Sequence, residues 1–190
     1  MRKISTLYKK NPENLGRVID EINPENEWVL KGEGMSTRKF DGTAAAIING
    51  ELYKRYDVKK GRQVPINAIP CQQPDEITGH WPHWVKCNAD NKGDKHFIEG
   101  LENADHWSIS KPTLEDGTYE LVGPKVRSNP EMYGKHTLVK HGAEILDVSD
   151  FTFEGLQKYL SENDIEGIVF HHVSDGRMCK IRKSDFGIKR

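Results

Sequence analysis

No apolar run in the chain approaches the about 20 residues needed to cross a bilayer, so a membrane-embedded protein is not expected. The opening Met1-Arg2-Lys3-Ile4-Ser5 is not followed by an apolar stretch, so no secretory signal is expected either. Cysteine is scarce. Cys71, Cys87 and Cys179 are an odd number and cannot pair completely, which sets aside a disulfide framework and implies a reducing, cytoplasmic setting. An excess of either charge is lacking as well: 28 Lys and Arg stand against 29 Asp and Glu. A nucleic-acid partner would therefore need a local basic surface, for which Lys54-Arg55, residues 59–62 and residues 183–190 are the candidates. The Walker P-loop, the dinucleotide glycine fingerprint, the EF-hand loop and the Gly-x-Ser-x-Gly elbow are all missing, and the function classes they mark go with them.

What is present suits one compact domain over residues 1–190, with 35% hydrophobic and 30% charged residues and no internal repeat or linker. Thr43-Ala44-Ala45-Ala46-Ile47-Ile48 and Glu51-Leu52-Tyr53-Lys54-Arg55-Tyr56 flank Asn49-Gly50, the signature of a tight type I′ hairpin. Short strands are expected at residues 27–31, 118–122, 138–140 and 144–146, and a second hairpin at residues 165–170 and 178–182. Helices are expected at 95–101 and around Phe153, Leu156, Tyr159 and Leu160, the latter capped by Asp150 or Thr152. Residues 61–95, with four prolines, read as loop. The fold class is α+β, with mainly antiparallel sheets and few helices.

The chemistry centres on Lys39-Phe40-Asp41-Gly42. Alone, Asp-Gly after a lysine is an ordinary turn. In sequence order, however, it is followed by the basic Arg55, by Glu120 and Glu166 in strand-like runs, and by Lys180-Ile181-Arg182. A nucleophilic lysine, acids and basic pairs make up the set needed to hold a nucleoside triphosphate and transfer its nucleotide. A lysine at its ordinary pKa of about 10.4 is nearly all ammonium at neutral pH. Neighbouring positive charge favours the reactive amine. Lys180 and Arg182 are two apart on a strand, so they share a face and could both activate Lys39 and bind phosphate. Attack on the α-phosphate of ATP would give lysyl–AMP and release pyrophosphate. Glu166 suits Mg2+, a hard cation, and Glu120 suits ribose hydroxyls or a water-bridged metal. Gly42 allows close backbone approach to a ligand. A separate group, Cys71, His80, His83 and Cys87, has ligands for zinc but not the usual knuckle spacing.

The ordered set resembles the lysine-dependent covalent nucleotidyltransferases: ATP-dependent RNA and DNA ligases and capping guanylyltransferases, whose shared adenylation domain is ATP-grasp-like. It is most similar to the small ATP-dependent 5′-to-3′ RNA ligases of animals and viruses. The segments that carry the likeness are Ser36 to Thr43, Ile69 to Asp75 with Thr78 to Pro82, Tyr119 to Pro124 with Asn129-Pro130, His141-Gly142-Ala143 and Ile165 to Val169. The resemblance implies that Lys39 is adenylylated, that Arg55 lies near the ribose or phosphates and that Glu120 lies at the ribose. It implies further that Glu166 is metal-associated and that Lys180 meets the α-phosphate. It implies ATP and Mg2+ as cofactors, and RNA 5′-phosphate and 3′-hydroxyl ends as the partners joined in RNA repair.

Three departures narrow the reading. The second basic position of the last motif is Arg182 rather than the usual lysine, a fork in place of a point charge. Ala44 stands where DNA ligases carry arginine. Arg38, which has no acceptor, precedes the nucleophile where adenine recognition is expected. No OB-fold domain is expected in the remaining length. The alternatives are a DNA ligase or capping-type enzyme, or a non-catalytic nucleotide- or RNA-binding module.

Overall fold

The computed structural model describes residues 3–76, 78–104 and 115–190. In chain order the strands begin with β1 (Ser5–Thr6), β2 (Tyr8–Asn11), β3 (Asn14–Ile22) and β4 (Gly34–Lys39). They continue with β5 (Thr43–Ile48), β6 (Glu51–Val58), β7 (Ile69–Pro70) and β8 (Trp81–Lys86), then helix α1 (Lys95–Asn103), β9 (Gly117–Val122) and β10 (Thr137–Lys140). Helix α2 (Phe153–Glu162), β11 (Gly167–His172), β12 (Met178–Arg182) and the short α3 (Lys183–Phe186) follow. The architecture is α+β with mainly antiparallel strands. Among the described residues no helix is long and apolar enough to cross a membrane.

The chain forms two compact units: Met1–Lys3 with Asp41–His141, and Ile4–Phe40 with Gly142–Arg190. The first is a six-stranded sheet in the order β10-β9-β5-β6-β8-β7. Its centre is the expected hairpin: Asn49 and Gly50 both take positive φ, 52° and 74°, as a type I′ turn requires. Strand period 2 then sorts the faces. Ala45, Ile47, Leu52, Tyr119, Leu121 and Leu138 point one way and bury against Phe97 of α1. The cross-strand pairs Ala46–Tyr53, Ala46–Thr118 and Ala44–Glu120 place Ala44, Ala46, Tyr53, Arg55, Thr118 and Glu120 on the other face.

The second unit is a four-stranded sheet, β1-β12-β11-β4, with a β2–β3 hairpin beside it in sequence. Only the β1–β12 pairing is parallel. Ile168, Phe170, Cys179 and Ile181 are fully buried in one core with Leu156 and Leu160 of α2. Thr152 caps α2, its side chain accepting from Gly155 N–H at 3.1 Å.

Two of the expected strands and the proline-rich loop differ. Residues 27–31 are turns, not a strand. A 3-10 helix at Pro24–Asn26 leads into local bonds, Val29 N–H to Asn26 O at 3.0 Å and Gly32 N–H to Val29 O at 3.0 Å, which use up the backbone groups that a ladder would need. Residues 144–146 make a single bridge, Ile145 with Thr37, rather than a strand. Residues 61–95 are not all loop: β8 pairs along β6 despite Pro82, and β7 adds to its outer side.

Candidate active site

In the second unit, strand register builds a polar face opposite the buried one. Gly167 of β11 lies across from Lys39 of β4 on one side and from Arg182 of β12 on the other. Val169, two residues on, lies across from Thr37 and from Lys180. Residues directly across a pair share a face, so Lys39, Lys180 and Arg182 project together from this sheet. Gly167 permits the close packing at its centre. A Cβ there would come 2.3 Å from Ile181 O and 2.9 Å from Arg182 Cα.

Glu166 immediately precedes β11 and meets the proposed nucleophile: Lys39 Nζ is 2.5 Å from Glu166 Oε2, with both side chains about one-fifth exposed. Burial first, then the charges of Lys39 and Arg182, lower the Lys180 pKa from 10.5 to about 8. Arg182 is gripped by Asp185, with Nη2 to Oδ1 at 2.9 Å and Nε to Oδ2 at 3.2 Å. Asp185 is fully buried, and it also accepts from Lys10 Nζ at 2.6 Å and from the backbone N–H of Arg182 at 2.9 Å. Burial alone would push its carboxyl up. Arg182 and Lys10 outweigh burial and hold it below the usual range. The hydrogen bond from Arg182 to Asp185 is also the main reason that the guanidinium pKa is raised.

The other sequence-predicted residues belong to the first unit. Glu120 Oε2 is 2.8 Å from His141 Nε2, whose Nδ1 is 2.9 Å from Thr118 Oγ1, so the imidazole bridges a carboxylate and a hydroxyl. Gly42 packs against this strand. A Cβ there would come 2.1 Å from Leu121 O and 2.8 Å from Glu120 Cγ. The Asp41 N–H donates to the buried Glu131 at 2.8 Å, and Arg127 Nε donates to Gly42 O at 3.3 Å. Arg127, Ser128, Asn129 and Met132 all take positive φ, so the loop holding Asp41 and Gly42 is tightly wound. Arg55 shares the Glu120 face, but its Nε bonds Asp57 at 3.0 Å. Arg38 pairs with Glu144 at 3.2 Å and lies over the Phe40 ring.

Lys10, Asp185, His141 and Glu131 are partners that the sequence reading did not assign. Asp185 had a local signal, standing three residues after Arg182 where a side chain can cap a helix. Lys10 had none.

Glu166 is a partly exposed, hard oxygen donor of the kind Mg2+ takes, so the residue fits that ion, with waters and phosphate oxygens completing the shell. The zinc alternative is not supported by geometry. Among the described residues, the group with ligand atoms all within 4.8 Å of one another is His96, Glu99 and His136, not Cys71, His80, His83 and Cys87. Burial pushes the Cys87 thiol up to about 12, away from thiolate. The His96 and His136 rings are stacked, with centroids 4.1 Å apart and a 26° tilt. Both Nδ1 atoms bond Glu99 Oε2, at 3.2 and 2.7 Å.

A family model described as RNA ligase 1 matches residues 57–190. The match covers Glu120, Glu166, Lys180 and Arg182, and it begins after Lys39, Asp41, Gly42 and Arg55. No curated protein matches the chain.

Proposed function

The chain belongs to the RNA ligase 1 family, and on that premise we propose an ATP-dependent RNA ligase that joins 5′-phosphate and 3′-hydroxyl ends through lysyl–AMP. The carrying observation is the polar face of the four-stranded sheet: Lys39, Lys180 and Arg182 project together, and Glu166 lies 2.5 Å from the Lys39 amino group.

Each residue then has a task. Lys39 Nζ attacks the α-phosphorus of ATP; an N–P bond forms, the bond to the β-phosphate oxygen breaks, and pyrophosphate leaves. Lys180 and Arg182 oppose the charge that builds on the phosphate oxygens, in a partly buried place where such charges count most. Asp185 and Lys10 fix the Arg182 fork. Glu166 orients the amino group and would hold Mg2+, which when bound offsets triphosphate charge. Glu120, oriented by His141, is assigned to ribose hydroxyls, and Asp41, Gly42 and Arg55 to nucleotide binding. An RNA 5′-phosphate oxygen next attacks the adenylyl phosphorus and frees Lys39. A 3′-hydroxyl then attacks that 5′-phosphate and expels AMP. With three free cysteines, the protein suits a reducing compartment.

Incubation with α-labelled ATP and Mg2+ should label the protein covalently, and Lys39→Arg should abolish the label while retaining charge. A Lys39→Arg protein that still takes label overturns the assignment. Presenting RNA, DNA and GTP in parallel separates RNA joining from DNA joining and capping.

A further inference from the structure

The first unit holds a cavity that none of these tasks uses. Pro70, Cys71, Gln72, Gln73 and Trp81 line it, and its volume is about 480 Å³. Its wall is pinned at several points. The Trp81 indole N–H donates to Gln72 O at 2.6 Å, and Cys71 N–H donates to Pro82 O at 2.9 Å. Asp75 accepts from the Thr78 backbone at 2.9 Å, and Lys3 reaches it at 3.2 Å. The backbone N–H of Lys3 donates to the Gln72 side chain at 2.6 Å and fixes that amide. Gln73 is exposed, and among the described residues its amide bonds no other group.

Beside the cavity stands a basic turn. Val58 pairs with Trp81, and the chain continues directly into Lys59, Lys60, Gly61 and Arg62, closed by Arg62 N–H to Lys59 O at 3.0 Å. The aliphatic stem of Lys60 lies against Gly79, at 3.2 Å from where a Cβ would stand. In this unit Lys54, Arg55, Lys86 and Lys140 each pair with a carboxylate, whereas Lys92, Lys125 and Lys135 pair with none among the described residues. Among the described residues Lys59, Lys60 and Arg62 pair with none.

An apolar ring and proline, side-chain amides at the edge and adjacent uncompensated cations are the complement of a nucleotide: a flat base, a polar edge and a phosphate. Single-stranded RNA is read by stacking bases on aromatic side chains and tracking the backbone with cations. We propose that this cavity seats one base of the RNA substrate, with the neighbouring phosphates on Lys59, Lys60 and Arg62. The proposal rests on the RNA ligase reading and adds a substrate site built from residues that reading leaves without a task.

The test measures binding of a labelled single-stranded RNA by anisotropy, alongside self-labelling with ATP. Trp81→Leu should weaken RNA binding about 5- to 100-fold. Trp81→Phe should lose less than Trp81→Leu, because it keeps a ring to stack on although not the N–H bond to Gln72 O. The exposed Gln73→Ala should lose a few-fold without risk to folding. All three should self-label normally. Removing the base at one RNA position should cost wild type the same factor as Trp81→Leu, and should cost Trp81→Leu nothing further. Unchanged affinity in both Trp81→Leu and Gln73→Ala overturns the proposal, and so do losses that add. A wild-type protein that fails to self-label would overturn the ligase chemistry, while the binding data would still decide the cavity.

Discussion

On the proposed ligase reading, Lys180 should make ATP binding sensitive to pH in a direction that can be worked out beforehand. Its pKa of about 8 leaves it roughly nine-tenths charged at pH 7, about half at pH 8 and about a tenth at pH 9. The gap below 10.5 means that keeping this charge in the empty protein costs about 3 kcal/mol at neutral pH. A phosphate against the ammonium removes that cost, so nucleotide binding and proton retention reinforce each other. ATP affinity should therefore be flat up to about pH 7 and fall above pH 8, by up to about tenfold per pH unit. The background for the assay is Lys39→Arg, which keeps the neighbouring charge but cannot form lysyl–AMP, with binding followed by calorimetry. Lys39→Ala should move the bend above pH 8, because Lys39 is the second largest cause of the depression after burial. Lys180→Arg, added to Lys39→Arg, should flatten the profile from pH 7 to 9. Loss of fold does not mimic the effect. A lysine with a depressed folded pKa gives a protein that gains stability from this group between pH 8 and 10.5, because the unfolded chain binds more protons there. A bend that persists in the double variant, or no bend in the Lys39→Arg protein, refutes the reasoning.

Gly167→Ala should lower Tm by about 5–10 °C and remove self-labelling, because the new methyl meets Ile181 O at 2.3 Å; a wild-type melting curve would contradict this. Asp185→Asn should cost on the order of 3 kcal/mol in chemical denaturation, because it leaves Arg182 and Lys10 without their buried counter-charge. In the wild-type protein that stability is present above the ordinary carboxyl pKa of 3.8 and is lost as pH falls through the lower folded value, a loss that Asp185→Asn should not show. Iodoacetamide at pH 8 should modify Cys71 in the folded protein and spare Cys179, which is buried, and Cys87, whose thiol is pushed up to about 12; peptide mass spectrometry reads this directly.

How much could be read from sequence follows from the range of the forces involved. The hairpin at residues 43–56 announces itself because both of its determinants are local: a turn that needs two positive-φ residues, and alternation along each arm. The pairing of residues 167–172 with 178–182 is legible for the same reason. Trp28 and Val29 misled because two apolar residues in a row look alike in a buried strand and a buried turn, and Pro24, which starts the turns, stands outside the run. Pro82 hid β8 because proline argues against a strand, yet this strand runs between β6 and the two-residue β7. At the site, the shared face of Lys180 and Arg182 followed from their spacing. That β4 is the strand next to β11, bringing Lys39 onto that face, did not. Lys10 lies 175 residues from Asp185, a separation at which no spacing rule operates.

Apart from residues 1–3, the second unit encloses the first in sequence, and this sets the order in which the two sheets can form. A chain emerging from the ribosome has every strand of the six-stranded sheet once residue 140 is out. Lys39 is made early, but its carboxylate partner lies 127 residues later, and the strand carrying Lys180 and Arg182 comes later still. Sheet pairings of such long separation close slowly. A product interrupted anywhere between the two stages would carry the cavity at Trp81 and the Glu120–His141 pair, with a lysine that has neither Glu166 nor Lys180 beside it. Such a fragment would carry Lys39 without the groups proposed to act with it, and residues 166–182 would complete that face.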